Sequence, residues 1–128
     1  MSKKYSVLVV DDEENIRIIL AYTLRLNGFE VYLAKDGSTG LELAREKKPD
    51  VIVLDWMMPE MDGLEVLSEL ENDEGTKDIP VIMLTAKEMM LDVGQALYQG
   101  AADYILKPFE PDELAEIIRG KIESMIKN

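Results

Sequence analysis

The sequence predicts an α/β fold: five parallel strands in one sheet, with five helices covering both faces, in a single domain over residues 1–128. Two observations carry this. Short apolar runs alternate along the chain with segments of helical periodicity. Apolar residues also make up 47% of the 128 positions, enough to build a core under one sheet.

The first run, Tyr5 to Val10, is rich in β-branched residues and reads as a strand. Asp11, Asp12, Glu13 and Glu14 follow at once. Ile16, Ile19, Leu20, Thr23 and Leu24 then recur at helical spacing, and Asn27-Gly28 stops that helix. Val31 to Ala34 is the second strand. Asp36-Gly37 turns the chain into a helix marked by Leu41 and Ala44, which ends before Pro49. Val51 to Leu54 is an unbroken apolar run, as expected of a strand buried on both faces. It ends in Asp55, and Asp62-Gly63 opens the third helix, with Leu64, Leu67 and Leu70 on its inner side. Asn72 to Pro80 is a polar loop. Val81 to Leu84 is the fourth strand, ending in Thr85-Ala86. A fourth helix is expected over about residues 89–99, stopping at Gly100. Asp103 to Leu106 is the fifth strand, closed by Lys107-Pro108. Pro111 suits the first position of a last helix, whose Leu114, Ile117, Ile118, Ile122 and Met125 are expected to face inward.

Composition narrows the function. There is no Cys and no His, which excludes thiol catalysis, a histidine triad and a His-rich metal site. The net charge of −12 opposes direct contact with nucleic acid or an anionic membrane, and favours a cation or a partner with a basic face. No apolar run is long enough to span a bilayer, and Asp11-Asp12 interrupt the only stretch resembling a leader. A cytoplasmic protein is expected.

Right-handed crossovers bring the carboxyl ends of parallel strands to one edge of the sheet. Asp11, Asp12, Asp55, Thr85 and Lys107 therefore converge there. An acid pair after a strand is often a helix cap, and a Lys before Pro is often a solvated surface residue. Their joint occurrence at successive strand ends argues for a site. Three clustered carboxylates raise one another's pKa unless a cation joins them. Mg²⁺ suits such a set, since it takes a few carboxylates and keeps room for a phosphate. Three carboxylates, one ammonium and one divalent ion are together neutral, so the site tolerates an incoming phosphoryl group. Asp55 would be the nucleophile, forming an acyl phosphate, with Thr85 donating to a phosphoryl oxygen.

The segments VLVVDDE, VIVLDWMMPEMDG, PVIMLTA and GAADYILKPF together resemble the response-regulator receiver domains of two-component signalling, over essentially the whole chain. The resemblance implies the strand order 2-1-3-4-5. It implies that Asp55 is the phosphoacceptor, and that Asp11, Asp12, Asp55 and the backbone carbonyl of Met57 hold Mg²⁺. It further implies that Thr85 and Lys107 contact the phosphoryl group, that Tyr104 is the switch aromatic, and that Lys107-Pro108 is cis. The implied donor is a sensor histidine kinase. The implied output is a downstream protein bound on the face of the fourth helix, fifth strand and fifth helix, where Met89 and Met90 offer adaptable contacts.

The chain departs from receivers that dimerise through charge pairs on that face. They commonly carry two acids where this chain has Ala102-Asp103, and a basic residue near Glu116. A phosphatase of the haloacid-dehalogenase type also uses a strand-end Asp and Mg²⁺, but its general acid would stand where this chain has Met57. A flavodoxin-like nucleotide module would need a phosphate-binding loop after the first strand, where two acids stand instead. A receiver-like scaffold that is never phosphorylated would not need the complete acid, Thr and Lys set. Finally, Met57 and Lys87 stand two residues after Asp55 and Thr85. They are expected to shield the phosphoryl group from water and prolong its lifetime.

Overall fold

The computed structural model describes residues 4–86 and 100–126. The elements are β1 (Ser6–Val10), α1 (Glu14–Leu26), β2 (Glu30–Ala34), α2 (Gly37–Lys47), β3 (Val51–Asp55), α3 (Gly63–Glu71), β4 (Val81–Thr85), β5 (Asp103–Leu106) and α4 (Pro111–Ile126). The strands form one parallel sheet in the order β2-β1-β3-β4-β5, as expected. Four helices lie among the described residues. The helix expected over 89–99 falls outside them, as do Lys87, Met89 and Met90.

Two apolar layers cover the sheet, one on each face. Alternate side chains of β1 and β3 point to opposite sides: Leu8, Val10, Ile52 and Leu54 join the layer under α2 and α3. Val7, Val9, Val51 and Val53 join the layer under α1 and α4. Every residue of β3 and β4 is buried, which explains why these strands read as unbroken apolar runs rather than as alternating ones.

The helix ends follow local chemistry. Asp36 caps α2, its carboxylate accepting the Thr39 N–H at 2.8 Å, and Asp62 caps α3 by accepting the Glu65 N–H at 3.0 Å. Beyond α1 the chain passes Gly28 at φ 88°, a left-handed conformation that suits glycine.

Met125, expected inward, is not, and Ile19 of the α1 apolar stripe is not buried either. Ile19 is 49% exposed and Met125 is 48% exposed. Both sit at the flank of an apolar stripe. Leu20 and Leu24 fill the α1 contact with the sheet, and Leu114, Ile118 and Ile122 fill that of α4. In α3, Leu64 is only half-buried and Val66 takes the deeper position.

Candidate functional site

The parallel register builds the site. Val10 lies beside Leu54, Asp55 beside Leu84, and Thr85 beside Leu106, so the residues that follow β1 and β5 fall on the same edge as the last residues of β3 and β4. Ladder hydrogen bonds continue past the strands and fix the backbone there. The Asp11 N–H donates to the Ala34 carbonyl at 3.1 Å, that of Trp56 to Leu84 at 3.0 Å, and that of Lys107 to Thr85 at 2.7 Å. The Lys107-Pro108 bond is cis, as expected.

Asp11, Asp12 and Asp55 each offer a carboxylate oxygen, and these atoms lie within 4.8 Å of one another. Asp11 and Asp55 are buried and Asp12 is exposed, so the cluster opens to solvent on one side. The Lys107 ammonium spans the buried pair, at 3.2 Å from Asp55 Oδ1 and 3.3 Å from Asp11 Oδ2. It also lies 3.6 Å from Glu13 Oε1.

One ammonium does not neutralise this set. Burial pushes the Asp55 carboxyl up to about 7, the Asp11 charge adds to the rise, and Lys107 opposes it. Asp11 is also raised, again chiefly by burial, against the Glu13 N–H and Lys107. For Lys107, burial disfavours the charge, but Asp55 and Asp11 outweigh it and hold the ammonium above its ordinary value. The donors are all oxygens, two of them buried and carrying unfavourable charge. That set fits a hard divalent cation.

The loop after β3 shapes the wall. Trp56 is buried and Met57 is 60% exposed, so the chain turns outward directly after Asp55. Glu60 takes a left-handed conformation at φ 68°, and the Gly63 N–H returns to the Trp56 carbonyl at 2.8 Å. A Cβ on Gly63 would sit 2.7 Å from the Asp55 carbonyl oxygen, so glycine lets α3 start against the end of β3. Thr85 is buried, its hydroxyl donating to the Ala86 carbonyl at 3.3 Å. Tyr104 is half-buried and packs against the layer under α2 and α3.

Thus Asp11, Asp12 and Asp55 cluster with Lys107 bridging the buried pair, Thr85 ends the neighbouring strand, Met57 follows two residues after Asp55, and Tyr104 lies in β5 beside Met83. Sequence reasoning missed Glu13, which reaches Lys107 although it read only as part of an acidic helix start. It also missed a groove beside Lys107, about 490 Å³ in volume and lined by Ile16, Ile19, Ala86, Pro108, Phe109 and Pro111. The exposure of Ile19 belongs to that groove. On the opposite flank, Asp103 pairs within the chain with Lys121 at 3.5 Å.

The family model of the response regulator receiver domain matches residues 7–119. The DNA-binding response regulator MtrA of Mycolicibacterium smegmatis is 41% identical over 116 residues, which are 91% of this chain and 50% of that protein. The alkaline phosphatase synthesis transcriptional regulatory protein PhoP of Bacillus subtilis is 46% identical over 114 residues, 89% of this chain and 46% of that protein. The chain therefore spans about half the length of the curated relatives it matches. Among solved structures, the Vibrio cholerae chemotaxis protein CheY4 superposes with a TM-score of 0.85 at 33% identity, covering 92% of this chain and 98% of that one. The receiver domain of the Pseudomonas aeruginosa sensor histidine kinase PA1611, solved with a magnesium ion in its active-site cleft, gives 0.85 at 30% identity, covering 94% and 99%. A family match across most of the chain, carried on this strand order and this strand-end cluster, places the chain in the response-regulator receiver-domain family of two-component signalling.

Proposed function

We propose that Asp55 accepts a phosphoryl group from a sensor histidine kinase and that the phosphorylated chain switches the partner affinity of its β5–α4 side. The observation that carries this reading is the contact of Lys107 with both Asp55 and Asp11 at a solvent-open cluster of three carboxylates. A carboxylate oxygen of Asp55 attacks phosphorus, the new bond is O–P, and the donor's P–N bond breaks with its electron pair going to the imidazole. Without metal, burial and the Asp11 charge hold the Asp55 carboxyl up to about 7, which favours its protonated form and makes it a poor nucleophile. Asp11, Asp12, Asp55 and the Met57 carbonyl are the residues to hold Mg²⁺, which when bound supplies Lewis-acid neutralisation of the phosphoryl oxygens. Lys107 then holds one phosphoryl oxygen and Thr85 turns its hydroxyl from Ala86 toward another.

The groove of Ile16, Ile19, Pro108 and Phe109 opens beside Lys107, which supports docking of the kinase next to the transfer site. Tyr104 and Leu106 supply the output side, where Leu106 is 39% exposed. A two-state rotation of Tyr104 would transmit the signal. The charge of −12 supports a protein partner rather than nucleic acid for this part of the chain. Among the described residues no helix is long and apolar enough to cross a membrane, in keeping with a cytoplasmic role. Exposure with an acyl-phosphate donor and Mg²⁺ should add one labile phosphoryl group, and none in the presence of a chelator. Labelling that ignores the chelator would count against this reading.

Trp56, the only Trp, adjoins Asp55 and is buried under the loop that carries Met57. Its fluorescence should change on Mg²⁺ addition. Asp12→Ala removes one carboxylate ligand and should weaken that response at least ~10-fold. An unaltered titration would remove Asp12 from the ligand set.

Phosphoryl lifetime follows from the wall. Met57 presents an exposed thioether beside Asp55 and cannot orient a water by hydrogen bonding. With Lys87 it should shield the phosphorus. Met57→Asn with Lys87→Glu should lose its phosphoryl group at least ~10-fold faster than wild type, a barrier change of about 1.4 kcal/mol. Equal decay rates would sink the shielding idea. The same Met57 argues against a phosphatase, whose general acid would stand there.

A further inference from the structure

We infer that Arg17 is a positioning residue for the metal site: its guanidinium holds the peptide that joins Asp11 to Asp12 and thereby aims the Asp12 carboxylate. The inference rests on the proposal that Asp11 and Asp12 hold a divalent cation. Arg17 Nη1 donates to the Asp11 carbonyl at 2.8 Å, across six residues and around the turn from β1 into α1. Asp11 is otherwise secured from the sheet side. Its N–H bonds the Ala34 carbonyl at 3.1 Å, and its carboxylate accepts from the Glu13 N–H at 2.9 Å and from Lys107 at 3.3 Å.

Asp12 is different. It lies past the last sheet bond and is exposed, so its direction depends on the backbone. A peptide unit is planar, so a bond to the Asp11 carbonyl fixes the rotation of the whole plane that ends at the Asp12 Cα. A charged donor makes that bond stronger than a neutral one. Arg17 is itself tied to the same turn, because its own N–H donates to the Glu13 carbonyl at 3.1 Å. The half-buried guanidinium thus braces the β1–α1 turn from the helix side.

Charge and position predict opposite signs. Arg17 is a cation near an acidic cluster, so its removal should tighten Mg²⁺ binding if it acts by charge alone. If it acts by aiming Asp12, its removal should weaken binding despite the lost repulsion. Groups that orient metal ligands typically contribute about 10- to 100-fold in affinity.

The test is Mg²⁺ titration of the full chain, read by Trp56 fluorescence, in wild type, Arg17→Ala, Arg17→Lys, Asp12→Asn and the Arg17→Ala/Asp12→Asn pair. Arg17→Ala should bind Mg²⁺ about 10-fold more weakly, and Arg17→Lys, which keeps a charged donor, should recover most of the loss. In the Asp12→Asn background the Arg17→Ala change should shrink to within about 2-fold, because the group being aimed is no longer a charged ligand. Thermal melts of the same variants separate loss of fold from loss of aim. Unchanged or tighter Mg²⁺ binding in folded Arg17→Ala overturns the inference, as does an equal loss in both backgrounds. A wild type that gives no Mg²⁺ response overturns the metal reading itself, and this inference with it.

Discussion

At about pH 8, with divalent ions removed, the Asp55→Asn variant is expected to melt roughly 5–10 °C above wild type. Asp55 ordinarily titrates at 3.8, and in the folded chain it titrates at about 7, raised first by burial and then by Asp11. Between these values the native state binds a proton that the unfolded state has released. Stability from this group therefore falls as pH rises through that window and stays low above about 7. A displacement from 3.8 to about 7 sets a ceiling of about 4 kcal/mol on the destabilisation. Asn has nearly the same shape, never ionises, and still offers an oxygen to Lys107. The gap between the two proteins should close on acidification to 3.8 and below, where Asp55 becomes protonated in both states. Mg²⁺ should also narrow it, by stabilising only the ionised wild type. Thermal melts across pH, with and without Mg²⁺, make the measurement. A wild type that melts with or above Asp55→Asn at the alkaline end would mean that Asp55 is not strained by its neighbours.

Lys107→Met is expected to separate cation binding from phosphoryl transfer. Lys107 lies 3.2 Å from Asp55 and 3.3 Å from Asp11, so in the proposed metal site it would compete with the ion for those oxygens. Its removal should tighten Mg²⁺ binding. On the proposed function the ammonium stabilises charge building on a phosphoryl oxygen, and losing one such donor typically slows a reaction by about 10²–10³-fold. The variant should thus bind Mg²⁺ more tightly and accept phosphoryl groups far more slowly. Both quantities come from one protein, by Trp56 titration and by the rate of label uptake from an acyl-phosphate donor. A rate within about threefold of wild type would remove Lys107 from the transfer step.

The sheet was legible because its strands are buried on both faces and so appear as bare apolar runs, Val51 to Leu54 above all. The site was legible for a related reason. In a parallel sheet the residue after each strand goes to a known edge, so Asp11, Asp55 and Lys107 could be placed together before any contact was known. Other features needed three dimensions. Helical spacing marks a stripe but not its margins, so Ile19 falls in the α1 stripe although it borders the groove beside Lys107. Met125, expected inward, lies at such a margin near the end of α4. Glu13 and Arg17 sit in a charged helix start that is ordinary in sequence, and only the folded turn shows one at Lys107 and the other at the Asp11 carbonyl. The raised Asp55 could be expected from clustered acids, but its main cause is burial, which only the folded chain shows.

On the proposed function the phosphoryl group sits on Asp55 and on no other residue. An acyl phosphate is reduced by borohydride to the alcohol, which converts the phosphorylated Asp to homoserine and marks its position permanently. Wild-type chain treated with an acyl-phosphate donor and Mg²⁺, reduced, digested and sequenced by mass spectrometry should carry homoserine at position 55 and Asp at positions 11 and 12. Homoserine at either of those positions, or label stable to borohydride on Thr85, would contradict the assignment.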